Sequence, residues 1–167
     1  ISFTLTYKGF EDAGLVIEAA AEDLNIKQRI FKDLEKVAPQ GAVFASNTSS
    51  FSIQKIADVI DSPERLVGLH FFNPVHRMGL VEVVKSDNTS DEALAVVIEF
   101  ASRIGKMPIV VKDVPGFLIN RILLPYMNEA VFLIEEGMEI GHLDRIVREF
   151  GMPMGPLELI DEIGIDI

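Results

Sequence analysis

Nine residues, 71–79, separate two apolar segments that each read as a buried strand, residues 66–70 and 80–84. That interval constrains the fold more than any other feature of the chain. Parallel neighbours need a crossover of about a dozen residues or more, usually a helix, whereas antiparallel neighbours accept a short connection. With Pro74 and Gly79 inside it, the interval leaves no room for a helix, so the strand at 80–84 is expected to run opposite to the one at 66–70.

Upstream the rhythm is different. A continuous apolar run from Leu15 to Ala20 suits a strand covered on both faces, and Ile26, Ile30, Phe31, Leu34 and Val37 then fall on one helical stripe stopped by Pro39 and Gly41. A second strand, 42–45, leads into the polar loop Ser46-Asn47-Thr48-Ser49-Ser50, and a short helix at 53–60 returns the chain to residue 66. This alternation predicts right-handed parallel crossovers and a doubly wound sheet. Thr89 and Glu92 have the spacing of a capping box for a helix closed by Gly105, and 108–111 ends the sheet. Phe3, Leu5 and Tyr7 alternate as an edge strand would.

From Asp113-Val114-Pro115-Gly116 onward the pattern is helical only: 117–136 with Pro125 inside it, then 142–150, then a third helix beyond the turn 151–156. The expected class is therefore α/β, a mostly parallel sheet with a reversed section, followed by the start of an all-helical layer. The domains are expected at 1–113 and 114–167.

Composition limits the partners. Hydrophobic residues make up 49% and charged residues 25%, as in folded globular proteins. No apolar run approaches the roughly 18 residues of a membrane span, and no secretion-signal pattern opens the chain. The absence of cysteine excludes disulfide and thiol chemistry and is compatible with a reducing cytoplasm. A net charge of -11 with no basic run opposes nucleic-acid binding. The three histidines lack the spacing of a metal site, and His76 and His142 read as surface residues.

If the sheet is as described, Glu22, the 46–50 loop and His70 stand at the carboxyl ends of successive parallel strands, where open α/β sheets bind ligands. Each has a plain structural explanation beside the functional one. His70 is either a satisfied polar residue or a base. The loop hydroxyls either cap a helix through Ser50 or Ser52, or hold a ligand. Glu82 either faces solvent or accepts a hydrogen bond from the His70 ring, fixing its tautomer and raising the basicity of the other nitrogen. Asn120, in an apolar helix where asparagine is a poor former, either faces water or is aimed at something.

The motifs His70-Phe71-Phe72-Asn73-Pro74, Ser46-Asn47-Thr48-Ser49, Leu80-Val81-Glu82-Val83, Pro115-Gly116-Phe117-Leu118-Ile119-Asn120-Arg121 and Pro153-Met154-Gly155-Pro156 together closely resemble the L-3-hydroxyacyl-CoA dehydrogenases of fatty-acid β-oxidation. Pro74-Val75-His76-Arg77-Met78 looks most like the multifunctional α-subunits of that family. The resemblance implies a Rossmann-like fold, NAD as cofactor and an acyl-CoA substrate. It implies a homo-oligomer formed through the helical domain, and a thiolase subunit as partner in a β-oxidation complex. It implies His70 as catalytic base, Glu82 as its orienting carboxylate, Ser49 and Asn120 on the substrate, and Glu22, Lys27, Ser49 and Asn73 on the cofactor. The chain has no Gly-x-Gly-x-x-Gly. It therefore reads as a central fragment whose sheet is incomplete, expected to be inactive alone. The competing reading is a non-catalytic binding or assembly module, with the apolar helix from Phe117 to Ile134 seeking a partner surface.

Overall fold

A computed structural model describes residues 2–164, and these divide into two compact units, the first ending at Leu118 and the second beginning at Ile119. The first unit is built on one sheet of five strands in chain order: β1 (Leu15–Glu18), β2 (Val43–Ser46), β3 (Leu66–Phe71), β4 (Leu80–Lys85) and β5 (Met107–Lys112). Pairing is parallel throughout except between β3 and β4, which are antiparallel as the short interval between them, eight residues (72–79), requires. The helices are α1 (Leu24–Val37), α2 (Ile53–Ala57) and α3 (Asp91–Arg103).

Reversing β4 also decides the layers. Right-handed crossovers put α1 and α2 on one face. Because β4 runs the other way while the sheet keeps growing in the same direction, a right-handed crossover from β4 to β5 puts α3 on the opposite face. The core divides accordingly. Phe31, Leu34, Ile53 and Ile56 from α1 and α2 pack with Val16, Phe44, Leu66 and Val84, whereas Ala93, Val97 and Ala101 from α3 pack with Val43, Ala45, Val67, Leu69, Val81 and Val83. The strand residues alternate strictly between the two sets, as the period of two demands. Gly68 lies on the α2 side, where a Cβ would stand 2.5 Å from the Val84 Cβ and 2.9 Å from the Ile53 Cδ1. Only glycine lets α2 lie this close to the middle of the sheet.

Two expectations are corrected. No strand forms among residues 2–8; Phe3 and Leu5 are almost wholly exposed, and a single 3₁₀ turn, Phe10–Asp12, precedes β1. Alternation without a neighbouring strand to pair with specifies nothing. At α3 the cap is Ser90, whose hydroxyl accepts from the Ala93 N–H at 3.1 Å. Thr89 is turned inward instead, donating to the Leu66 carbonyl at 2.8 Å.

The second unit contains α4 (Ile119–Glu135, with Pro125 inside it), α5 (Ile140–Phe150) and α6 (Pro156–Ile163). The start of α6 docks on α5: the buried Asp144 accepts from the Leu157 N–H at 2.9 Å, and Arg148 pairs with Glu158.

Candidate active site

The alternation that sorts the core also sorts the polar groups. Glu18, Ser46, His70 and Glu82 share the face of Phe44, Leu66 and Val84, clustered where β1, β2 and β3 end and β4 begins, and none is more than 5% exposed. Polar groups buried to this degree must find partners within the protein. They form two adjoining sets.

The first set is a histidine with a carboxylate. His70 and Glu82 are direct cross-strand partners, and the His70 Nδ1 lies 2.7 Å from the Glu82 Oε2. A carboxylate only accepts, so this contact assigns the proton to Nδ1 and leaves Nε2 with a lone pair. The other Glu82 oxygen accepts from the Leu118 N–H at 2.9 Å.

The second set organises the serine-rich loop. Lys27, 1% exposed, donates to both oxygens of Glu18 at 3.0 and 3.1 Å and to the Glu22 Oε2 at 3.1 Å. Glu18 also accepts from Ser46 Oγ at 2.6 Å and from the Ala20 N–H at 2.6 Å. The Glu22 Oε1 in turn gathers the loop, accepting from Thr48 Oγ at 2.5 Å, the Ser49 N–H at 3.0 Å, the Ser50 N–H at 3.2 Å and Ser50 Oγ at 2.9 Å. Partial burial pushes the Glu22 carboxyl up, but hydrogen bonds from Thr48, Lys27 and Ser50 outweigh it and hold its pKa at about 2. Asn47 ties the loop to β3 by accepting from the Phe71 N–H at 3.0 Å.

This wiring sorts the candidates read from sequence. Ser46, Thr48 and Ser50 spend their hydroxyls inside the protein, and Ser52 caps α2, accepting from the Lys55 N–H at 3.3 Å. Ser49 and Asn73 are exposed on the rim. Lys27, a cofactor contact in the resemblance, is buried beneath the rim, with its ammonium on the carboxylates of Glu18 and Glu22. Asn120 is the second residue of α4, half-buried, in the other unit. His76 is exposed, and His142 lies 2.6 Å from an Arg145 nitrogen on the surface of α5.

Three residues escaped the sequence reading. Glu18 carried the same signal as Glu82, a charge in an apolar strand. Asn47 was hidden among its polar neighbours. Asp113 looked like part of a linker, yet its carboxylate receives Ser52 Oγ at 2.7 Å, the Ile53 N–H at 3.0 Å and the Gln54 N–H at 2.9 Å, pinning the end of β5 to the start of α2.

The rim offers the Ser49 hydroxyl, the Asn73 carboxamide and the ordered Glu22 carboxylate together with the buried His70, groups able to hydrogen-bond a polar ligand. A mostly parallel α/β sheet with a polar rim at the carboxyl ends of its strands has the architecture of a nucleotide-binding domain. The chain belongs to the 3-hydroxyacyl-CoA dehydrogenase family: the family's NAD binding domain matches residues 1–114, and its C-terminal domain matches residues 116–167. It is 50% identical over 164 residues to the fatty acid oxidation complex subunit alpha of Shewanella loihica, and 45% identical over 163 residues to that of Psychrobacter arcticus. In both cases 98% of this chain is covered, and the chain spans about a quarter (23%) of the relative's length. Among solved structures it is similar to Mycobacterium tuberculosis FadB2, with a TM-score of 0.93 and 41% identity over 99% of this chain and 59% of that one. It is also similar to 3-hydroxybutyryl-CoA dehydrogenase of Escherichia coli, with a TM-score of 0.87 and 45% identity over 92% of this chain and 33% of that one.

Proposed function

We propose that the chain carries the catalytic half of an NAD-dependent enzyme that oxidises L-3-hydroxyacyl-CoA to 3-ketoacyl-CoA in fatty-acid β-oxidation. The observation that carries the reading is the His70–Glu82 pair, 2.7 Å apart and buried at the carboxyl rim of three parallel strands. The His70 Nε2 takes the proton of the 3-hydroxyl. Glu82, ionised and fixed, stabilises the imidazolium that results. NAD, when bound, supplies the hydride acceptor. Ser49 and Asn120 hydrogen-bond the substrate near the reacting oxygen and the acyl carbonyl. Glu22, Lys27, Ser49 and Asn73 contact the cofactor on its ribose and nicotinamide side, with Lys27 also paired to Glu22.

In this reading residues 1–113 are the carboxyl-terminal portion of the NAD-binding domain, and 114–167 begin a substrate and dimerisation domain. The 167-residue chain, lacking a glycine-rich turn for the pyrophosphate, is inactive alone. The names of the relatives support a multifunctional α-subunit of a complex. A homo-oligomer and a thiolase partner, in the cytoplasm, complete the proposal. Among the described residues no helix is long and apolar enough to cross a membrane.

The test is His70→Gln in the full-length protein. Turnover is expected to fall about 10²- to 10⁴-fold, the usual worth of a general base, with NAD affinity by calorimetry unchanged. Undiminished turnover would sink the assignment.

A further inference from the structure

The residues that leave β5 do more than connect the two units. Asp113, fixed on the start of α2 as described, is followed by a tight turn in which the Phe117 N–H donates to the Val114 carbonyl at 2.9 Å. Gly116 (φ 74°) and Phe117 (φ 45°) both take left-handed backbone, and Phe117 is the single non-glycine residue with positive φ among the described residues. A bulky side chain there costs about 1 kcal/mol or more and persists only where its surroundings fix it. What fixes it is the site. The Phe117 ring is 3% exposed, packs into the α1 and α2 core, and lies 5.6 Å from the His70 ring, whose other neighbour is Phe72 at 4.7 Å. The next residue, Leu118, donates its N–H to the Glu82 Oε1.

We propose that Phe117 and the backbone amide of Leu118 are positioning groups for the His70–Glu82 pair, held in place through Asp113. A carboxylate bound at one oxygen can rotate about its terminal bond. Bound at both, by an amide on Oε1 and an imidazole on Oε2, it cannot turn without losing a hydrogen bond, so the proton stays on Nδ1. The Phe117 ring walls the pair and keeps water from competing for the carboxylate. The left-handed turn is what directs both the ring and the following N–H inward from consecutive residues.

The proposal rests on His70 being the base, but its test does not. In the 167-residue chain, the ring-nitrogen resonances of His70 report its tautomer by NMR. Phe117→Gly, which tolerates positive φ and removes only the ring, is expected to lower the preference for the Nδ1–H tautomer about tenfold, the worth of one hydrogen bond to a charged group. Asp113→Ala, which touches neither member of the pair, is expected to lower it about threefold by loosening the turn. In the full-length enzyme both should reduce kcat with KM for NAD unchanged, a split that general destabilisation does not produce. A folded Phe117→Gly variant with the unaltered tautomer overturns the proposal. If that variant does not fold, an unaltered tautomer in Asp113→Ala overturns it. In the unaltered chain, exchange of the Leu118 amide at the unprotected rate overturns it regardless of either variant. Failure of His70→Gln to reduce turnover would instead remove the functional reading while leaving the tautomer result standing.

Discussion

The two ends of the parallel strands both hold charge, and they settle it differently. At the amino ends Arg65 donates through Nη1 to the carbonyls of Pro39, Gln40 and Ala42 at 3.0, 2.9 and 3.3 Å and through Nη2 to Glu35 at 3.3 Å, with its guanidinium 4.8 Å from the centre of the Phe44 ring. Glu35 also accepts the Asp61 and Ser62 N–H groups at 2.8 and 2.9 Å. There the charges close largely on backbone, and the result is a staple between β2 and β3. At the carboxyl ends backbone amides contribute as well, but the charges meet one another directly: Lys27 on Glu18 and Glu22, His70 on Glu82. A charge satisfied by backbone is fixed by the fold itself, whereas one satisfied by other side chains keeps groups that a ligand can engage. The difference separates a rim closed on the backbone from a rim whose charges are set by one another.

Three substitutions would sharpen or break that contrast, beyond those already described. The largest expected effect is Lys27→Met, which leaves Glu18 buried without its cation; such a loss costs about 3–5 kcal/mol, read as a lowered urea midpoint. The same variant should release the 46–50 loop, seen as faster amide exchange at Ser49 and Ser50. A loop that stays protected would mean that Lys27 does not act through Glu22. Next is Arg65→Lys, in which one ammonium replaces a planar fork spanning three carbonyls and a carboxylate. A loss of about 2 kcal/mol is expected, with the His70 tautomer unmoved. A shifted tautomer would erase the distinction between the rims.

The smallest effect belongs to Glu22→Gln and depends on pH. The folded carboxyl titrates at about 2 against an ordinary 4.5, so its contribution to stability is present above about 4.5 and is lost as pH falls toward 2. Since the side chain is 41% exposed, solvent screening reduces that contribution to about 1 kcal/mol. The variant should be less stable at neutral pH and should lose part of the slope of urea midpoint against pH between 4.5 and 2. An unchanged slope would mean that the loop is ordered without Glu22.

Much of the sheet was legible because its determinants are local. The extent of α1, the short interval before Leu80, and the apolar runs of β2 and β3 are each stated within a few residues of where they act. What was hidden depends on partners far along the chain. Thr89 and Ser90 are equally good caps on paper; Thr89 is withdrawn from that role by the Leu66 carbonyl, 23 residues earlier. Asp113 reads as a linker until α2, 60 residues earlier, is placed beside it. Within the candidate site, His70 and Glu82 could be paired from the reversal alone. The division of the loop hydroxyls into internal ones and Ser49 could not, because it turns on the single Glu22 oxygen that collects them.

The reversed strand has one more consequence, and it concerns the order of assembly. His70 and Glu82 are 12 residues apart in the chain, joined by the only strand connection in the sheet that needs no intervening helix. The contacts that build the serine loop onto Glu22 span 26 to 28 residues. Closing a shorter loop costs less entropy and is faster. The His70–Glu82 pair therefore belongs to the part of the sheet that can come together first, so that the serine-rich loop folds onto a pair already in register.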